Sequence, residues 1–77
     1  MSVHVNYFAS LREMIGRSHD EVAFTHQATV EEVWKQATQN LKRPDRLLVA
    51  VNQTYASFEQ EVCDEDEVAF FPPVTGG

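Results

Sequence analysis

Cysteine, glycine and basic residues are all scarce in this chain, and each scarcity removes a class of function. A single cysteine, Cys63, permits no internal disulfide, so a disulfide-stapled secreted scaffold is excluded and a reducing compartment is expected. Six lysines and arginines stand against twelve aspartates and glutamates, a net charge of −6. Nucleic acids and anionic membranes are held by basic faces that neutralise phosphate, so neither is an expected partner. No apolar run approaches the ~20 residues that span a bilayer. The opening MSVHVNYFAS also lacks the basic-then-apolar plan of a signal peptide. The expectation is a cytoplasmic protein whose partners are basic where they touch it. Of only three glycines, two are Gly76 and Gly77, the last two residues.

What is present describes one small domain. A chain of 77 residues has room for one core and buries only about 60% of its unfolded surface. The apolar fraction of 43% is that of a folded domain rather than a disordered one. SVHVNYF alternates, with Val3, Val5 and Tyr7 on one face and His4, Asn6 and Phe8 on the other, which predicts a strand. SLRE at residues 10–13 reads as a capping box opening a short helix, with Leu11 and Ile15 as its buried stripe and Gly16 as its left-handed stop. Residues 19–24 alternate again, with Val22 and Phe24 on one face. TVEE at 29–32 is a second capping box. Behind it Val30, Val33, Trp34, Ala37 and Leu41 recur at helical spacing, predicting a main helix that runs to Lys42-Arg43-Pro44.

Residues 47–51 form an apolar run suited to a strand covered on both faces, followed by a turn at Asn52-Gln53 and a short or irregular segment over 54–58. Residues 64–67 read as a polar loop and 68–71 as the last strand, stopped by Pro72 and Pro73. This order predicts an α+β roll: a mixed sheet packed on one main helix, over residues 1–71, with 72–77 as an extended tail. The core candidates are Val5, Val22, Phe24, Val30, Val33, Trp34, Leu48, Ala50, Val68 and Phe70.

Conventional catalytic constellations do not emerge. His4, His19 and His26 fall on separate elements without metal-ligand spacing, so no metal site is expected. Cys63 sits beside Asp64, Glu65 and Asp66, whose charge repels the thiolate a nucleophile needs, and it reads as a partly buried apolar residue. There is no nucleophile motif or phosphate-cradling glycine loop. The acidic stretch 59–67 is either a solvated hairpin or a docking patch for a basic partner.

The end of the chain is a different kind of candidate. A free carboxylate is a poor electrophile, but joined to AMP it becomes a mixed anhydride that a sulfur donor can convert into a thiocarboxylate. A pocket closing on that carbonyl needs thin residues around it, and glycine is the thinnest. Pro72 and Pro73 are biased to extended geometry. At about 3.3 Å per residue, residues 72–77 reach roughly 20 Å. Phe8 and Phe71 alternate away from the helix-covered face and Tyr55 is placed near them, so these aromatics form either an interface or a satellite core under a loop.

The stretches FASLRE at 8–13, AVNQT at 50–54, SF at 57–58 and above all DEVAFFPPVTGG at 66–77 resemble the MoaD/ThiS group of ubiquitin-like sulfur carriers, which includes the small subunits of molybdopterin synthase. The resemblance spans the chain and is strongest over its last twelve residues. One departure is Glu65, where the family often has glycine. The resemblance implies a β-grasp (ubiquitin-like) fold and a sulfur-carrying subunit of a transferase complex rather than a stand-alone catalyst. It implies that Gly77 is adenylated by a ubiquitin-activating-type adenylyltransferase with ATP and Mg²⁺, then sulfurated by a persulfide donor, with no cofactor bound by this chain itself. It further implies that Pro73, Val74, Thr75 and Gly76 enter the active site of the large synthase subunit within a heterotetramer. There Gly77 gives its sulfur to cyclic pyranopterin monophosphate, forming the molybdopterin dithiolene. Phe8, Tyr55, Phe71 and Pro72 are the implied partner interface. Other readings are a carrier for thiamine or tRNA thiolation, a ubiquitin-like tag that forms isopeptides through Gly77, and a binding module with an inert tail.

Overall fold

The alternation at the start of the chain forms β1 (Ser2–Tyr7), in which Val3, Val5 and Tyr7 are buried and the residues between them are not. The computed structural model describes residues 1–73. After β1 come α1 (Ser10–Ile15), β2 (His19–Ala23), β3 (Ala28–Thr29), α2 (Val30–Thr38), β4 (Leu48–Val51), β5 (Thr54–Tyr55), β6 (Glu61–Val62) and β7 (Glu67–Phe71). Five strands form one mixed sheet in the order β2-β1-β7-β4-β5. β1 pairs antiparallel with β2 and parallel with β7, so the first and last strands of the domain lie side by side at its centre.

Register places the apolar side chains on one face. Val3 lies opposite Val22, Val5 opposite Val68, Tyr7 opposite Phe70 and Val49 opposite Phe70 on the other side. α2 covers this face. The Trp34 ring meets Phe70 edge-on at 5.0 Å between centroids, and Phe58 stacks on Phe70 at 6.1 Å. No buried side-chain polar atom among the described residues lacks a hydrogen-bond partner. Where polar groups approach the core they are paired: the Tyr7 hydroxyl donates to Asp20 at 2.8 Å, and Trp34 Nε1 donates to the Leu41 carbonyl at 2.8 Å. This is the β-grasp arrangement, a mixed sheet holding one helix.

Several local expectations are corrected. The box at residues 10–13 does not form. Ala9 occupies the N-cap of α1 with φ 55° and no side-chain cap, because Ser10 is already inside the helix. The box at 29–32 does form, with Thr29 Oγ1 accepting from the Glu32 N–H and the Glu32 carboxylate accepting from the Thr29 N–H. α2 stops at Thr38, well before Pro44, because Gln39 and Asn40 turn left-handed (φ 58° and 65°). Leu41 therefore leaves the helix and is exposed rather than part of the buried stripe. In β4 the buried residues are Val49 and Val51, with Leu47 before the strand, while Leu48 and Ala50 are half-buried on the opposite face. An unbroken apolar run carries no alternation from which to choose the inner face. β4 is one strand from the edge, and the central position belongs to β7.

Two strands escaped the sequence reading. β3 and β6 form a separate two-stranded ladder, Ala28 opposite Val62 and Thr29 opposite Glu61, each too short to show a period. Asn52 and Gln53 both take positive φ (50° and 70°), the two-residue turn that joins β4 to β5. Glu65 is also left-handed, at φ 69°, a backbone conformation that glycine adopts more readily than other residues.

Candidate functional site

The face of the sheet opposite α2 is where the aromatic candidates fall. Because Val68 and Phe70 point inward from β7, Ala69 and Phe71 point outward. In the same register Leu48 lies opposite Phe71, and Ala50 lies opposite both Ala69 and Tyr55. Cross-strand neighbours on one face are close enough to touch, so these five residues form a continuous apolar strip. Tyr55 is 73% exposed, and its ring lies 5.9 Å from that of Phe71, tilted by 52°. The structure thus brings Tyr55 and Phe71 together.

Phe8 follows β1 directly. Its N–H donates to the Phe70 carbonyl at 3.1 Å, tying it to the end of β7 beside Phe71, and it is 49% exposed. The aromatic pairs among the described residues do not include it. Pro72 and Pro73 are half-buried and form one wall of a cleft of about 200 Å³, with Leu11 and Met14 of α1 and with Pro44 and Leu47. Met14, the half-exposed member of that wall, was not singled out by sequence. Its spacing of three from Leu11 on a short helix was the available signal. Val74, Thr75, Gly76 and Gly77 lie outside the described residues.

The other candidates stay apart. His4 lies near the beginning of β1, where its Nε2 is 2.9 Å from Glu65 and its Nδ1 is 3.8 Å from Glu21. The hydrogen bond to Glu65 and the surrounding carboxylates raise the imidazole pKa above its ordinary value. His19 meets Ser18 at 3.2 Å, and His26 meets its neighbour's carbonyl at 2.8 Å. Among the described residues no group of three His, Cys, Asp or Glu could hold a metal ion. Cys63 is exposed rather than partly buried, and its backbone N–H donates to Asp66 at 2.7 Å. Part of the acidic stretch is structural: Asp64 accepts from the Ser2 N–H and Asp66 from Asn52 Nδ2.

Tyr7, Asp20 and Arg17 form a polar network that reaches the core. Burial first, and then the bond to Asp20, push the Tyr7 phenol well above its usual range. Arg17 bonds Asp20 at 2.6 Å and the Ala37 carbonyl at 2.7 Å, fastening the loop after α1 to the end of α2. The network is satisfied internally and is directed at the fold. No helix among the described residues is long and apolar enough to cross a membrane. The geometry is therefore that of a platform: an apolar strip that ends at the point where the chain leaves the sheet.

Comparison with known proteins agrees with that geometry. A model of the ThiS family matches residues 5–77. The chain is 43% identical to the molybdopterin synthase sulfur carrier subunit of Escherichia coli K12, over 97% of this chain and 99% of the relative. It is 40% identical to the subunit of the same name from Haemophilus influenzae, with the same coverage. The crystal structure of SAMP1 from Haloferax volcanii superposes with a TM-score of 0.82 at 28% identity, over 100% of both chains.

Proposed function

Because this chain belongs to the ThiS family, we propose that it is the sulfur carrier subunit of molybdopterin synthase and that the carboxyl of Gly77 is its working group. The observation that carries the reading is the 43% identity to a subunit of that name, extending across nearly the whole of both chains. The platform supports it: a body with no catalytic constellation among its described residues is suited to presenting an arm to other proteins' active sites.

The chemistry follows from the carboxylate. A Gly77 oxygen attacks the α-phosphorus of Mg²⁺-bound ATP in a ubiquitin-activating-type adenylyltransferase, and pyrophosphate leaves. A persulfide donor displaces AMP from the mixed anhydride, and a thiol then reduces the resulting acyl disulfide to the thiocarboxylate. The thiocarboxylate sulfur is a good nucleophile at neutral pH. In the large synthase subunit it forms a carbon–sulfur bond to cyclic pyranopterin monophosphate as a carbon–oxygen bond of that substrate breaks. Water then cleaves the acyl–sulfur bond, leaving the sulfur on the pterin and returning the carboxylate. Two sulfurs make one dithiolene, so two carriers serve each product. A heterotetramer built on a dimer of large subunits provides for this.

In this reading the chain binds no cofactor, and ATP and Mg²⁺ belong to the activating partner. Phe8, Tyr55, Phe71 and Pro72 dock the body, while Pro73, Val74, Thr75 and Gly76 thread the partner's channel. The site of action is the cytoplasm. The test is positional. Removing Gly77, or adding residues after it, abolishes sulfur transfer while the fold melts unchanged. Full transfer from an extended chain contradicts the mechanism.

A second reading is favoured by one comparison. SAMP1 is a small archaeal modifier protein, and it shares this fold at 28% identity. A modifier joins Gly77 to lysines, which appears as a ladder of conjugates rather than as a sulfur-bearing carrier.

A further inference from the structure

Charge is spread unevenly over this chain. β7 runs from Glu67 to Phe71, and the turn before it carries Asp64, Glu65 and Asp66, so consecutive acids crowd the end of the sheet away from the arm. Glu21 joins them there, 3.8 Å from His4 and opposite it in the β1–β2 register. At about 3.3 Å per residue, β7 puts roughly 13 Å between that acidic turn and Phe71. The loop at the arm end is the reverse. Residues 42–46, KRPDR, hold three of the chain's six basic residues against one acid. Pro44, Asp45 and Leu47 share a cleft with Pro72 and Pro73, and Arg43 and Arg46 line the adjoining hollow with Phe58. Leu48 follows directly and lies opposite Phe71, so the loop runs into the apolar strip.

The loop is held in shape, and its charges are not spent on the fold. Leu47 N–H donates to the Pro44 carbonyl at 3.3 Å, and Arg46 turns left-handed at φ 61°. The Arg43 guanidinium lies over the Phe58 ring at 3.8 Å, which fixes its plane, yet its side chain stays 38% exposed. Glu31, 3.8 Å from it, is within ion-pair range but beyond a hydrogen bond. Lys42 and Arg46 are exposed, and among the described residues no carboxylate pairs with either. Arg17 is the contrast, bonded to both Asp20 and the Ala37 carbonyl. A guanidinium held flat and open at its edge is preset for a carboxylate, which it meets with two parallel hydrogen bonds.

We infer that the 42–46 loop docks on an acidic rim of the large synthase subunit, where aspartates or glutamates face Lys42, Arg43 and Arg46 beside the opening that takes the arm. This docking rests on the sulfur-carrier reading and adds to it the charge of the partner's surface. The acidic turn then faces away from the rim, so the separation of charge along the sheet turns the arm toward the partner before contact. The whole-chain charge of −6 favours a basic partner instead, so the sign of the effect decides between the two.

The experiment measures association of the full chain with the large synthase subunit from the same organism, free of substrate, at low and at high salt. Reversing both unpaired charges, Lys42→Glu with Arg46→Glu, slows association on the order of tenfold at low salt and flattens its salt dependence. The melting curve is unchanged, since neither side chain is buried. Lys42→Gln with Arg46→Gln falls between the two, as a charge effect requires. Glu21→Lys changes the net charge at the far end of the sheet and leaves the rate within about twofold, because salt screens beyond the Debye length. Faster association of the double Glu variant shows a basic rim and overturns the docking; an unchanged rate overturns it as well. A Glu21→Lys effect as large as that of the loop makes net charge the cause, and the loop fails. Slowing that appears only once the phosphate-bearing substrate is bound places phosphate rather than carboxylate against the loop, and overturns the acidic rim. In each of these cases the native chain still binds and the sulfur-carrier reading stands. If the native chain does not bind the large subunit at all, that reading fails and the docking with it.

Discussion

Glu65 combines two roles that a glycine could not. Its backbone is left-handed at φ 69°, its N–H donates to the Ser2 carbonyl at 2.6 Å, and its carboxylate lies 2.9 Å from His4 Nε2. The His4 pKa is raised above 6.5 in the folded chain, chiefly by that bond. A group whose folded pKa is raised stabilises the fold fully below its unfolded pKa, and that contribution is lost as pH rises through the folded value. Glu65→Gln therefore lowers the His4 titration midpoint, followed by its imidazole proton shifts. It also removes the part of the stability that fades from the unfolded midpoint upward. An unmoved midpoint would show that Glu65 is not the cause. Gly16 is the complementary case: φ is 91°, and an added Cβ would meet nothing within 4 Å. Gly16→Ala should cost about 1 kcal/mol from backbone conformation alone, measured by urea unfolding, with Gly16→Asn costing less.

At the scale of elements the two helices separate a motif from its performance. Thr29 caps α2 with both halves of the reciprocal box, whereas Ser10 lies inside α1 and caps nothing. Thr29→Ala should cost about 1 kcal/mol of unfolding free energy, and Ser10→Ala only a few tenths; equal losses would contradict the assignment. The four-residue pattern reads the same in both places. Tertiary geometry decides, because Ala9 is turned to φ 55° where the chain leaves β1. Alternation made β1 and β7 legible, since each shows a buried and an unburied row, and in β2 it set Val22 inward between exposed neighbours. β4 was legible as a strand but not by face, and β3 and β6 were too short to be seen. The end of α2 was misplaced because Gln39 and Asn40, unlike Pro44, carry no strong stop signal, yet both adopt left-handed backbone.

For the whole molecule, sequence and structure contribute different halves of the account. The arm was visible as residues, in PPVTGG at 72–77, because paired prolines and a double glycine stand out in a chain with three of each. The platform was visible only in part: alternation set Phe71 outward, but the meeting of Tyr55 with Phe71 depends on the β4–β5 turn and the β4–β7 register. The cleft beside Pro72 required the fold, since its walls come from three separate stretches of chain. Phe71→Asp puts a charge into the strip and should weaken binding to the large synthase subunit by tenfold or more, on the order expected for an aromatic anchor, with the core intact. The central claim is that Gly77 carries sulfur, and intact-mass spectrometry tests it most directly. After incubation with the activating enzyme, ATP, Mg²⁺ and a persulfide donor, the chain should gain the mass of one sulfur in place of one oxygen, located by fragmentation to Gly77. An unchanged mass, or sulfur found at Cys63 instead, would contradict the account.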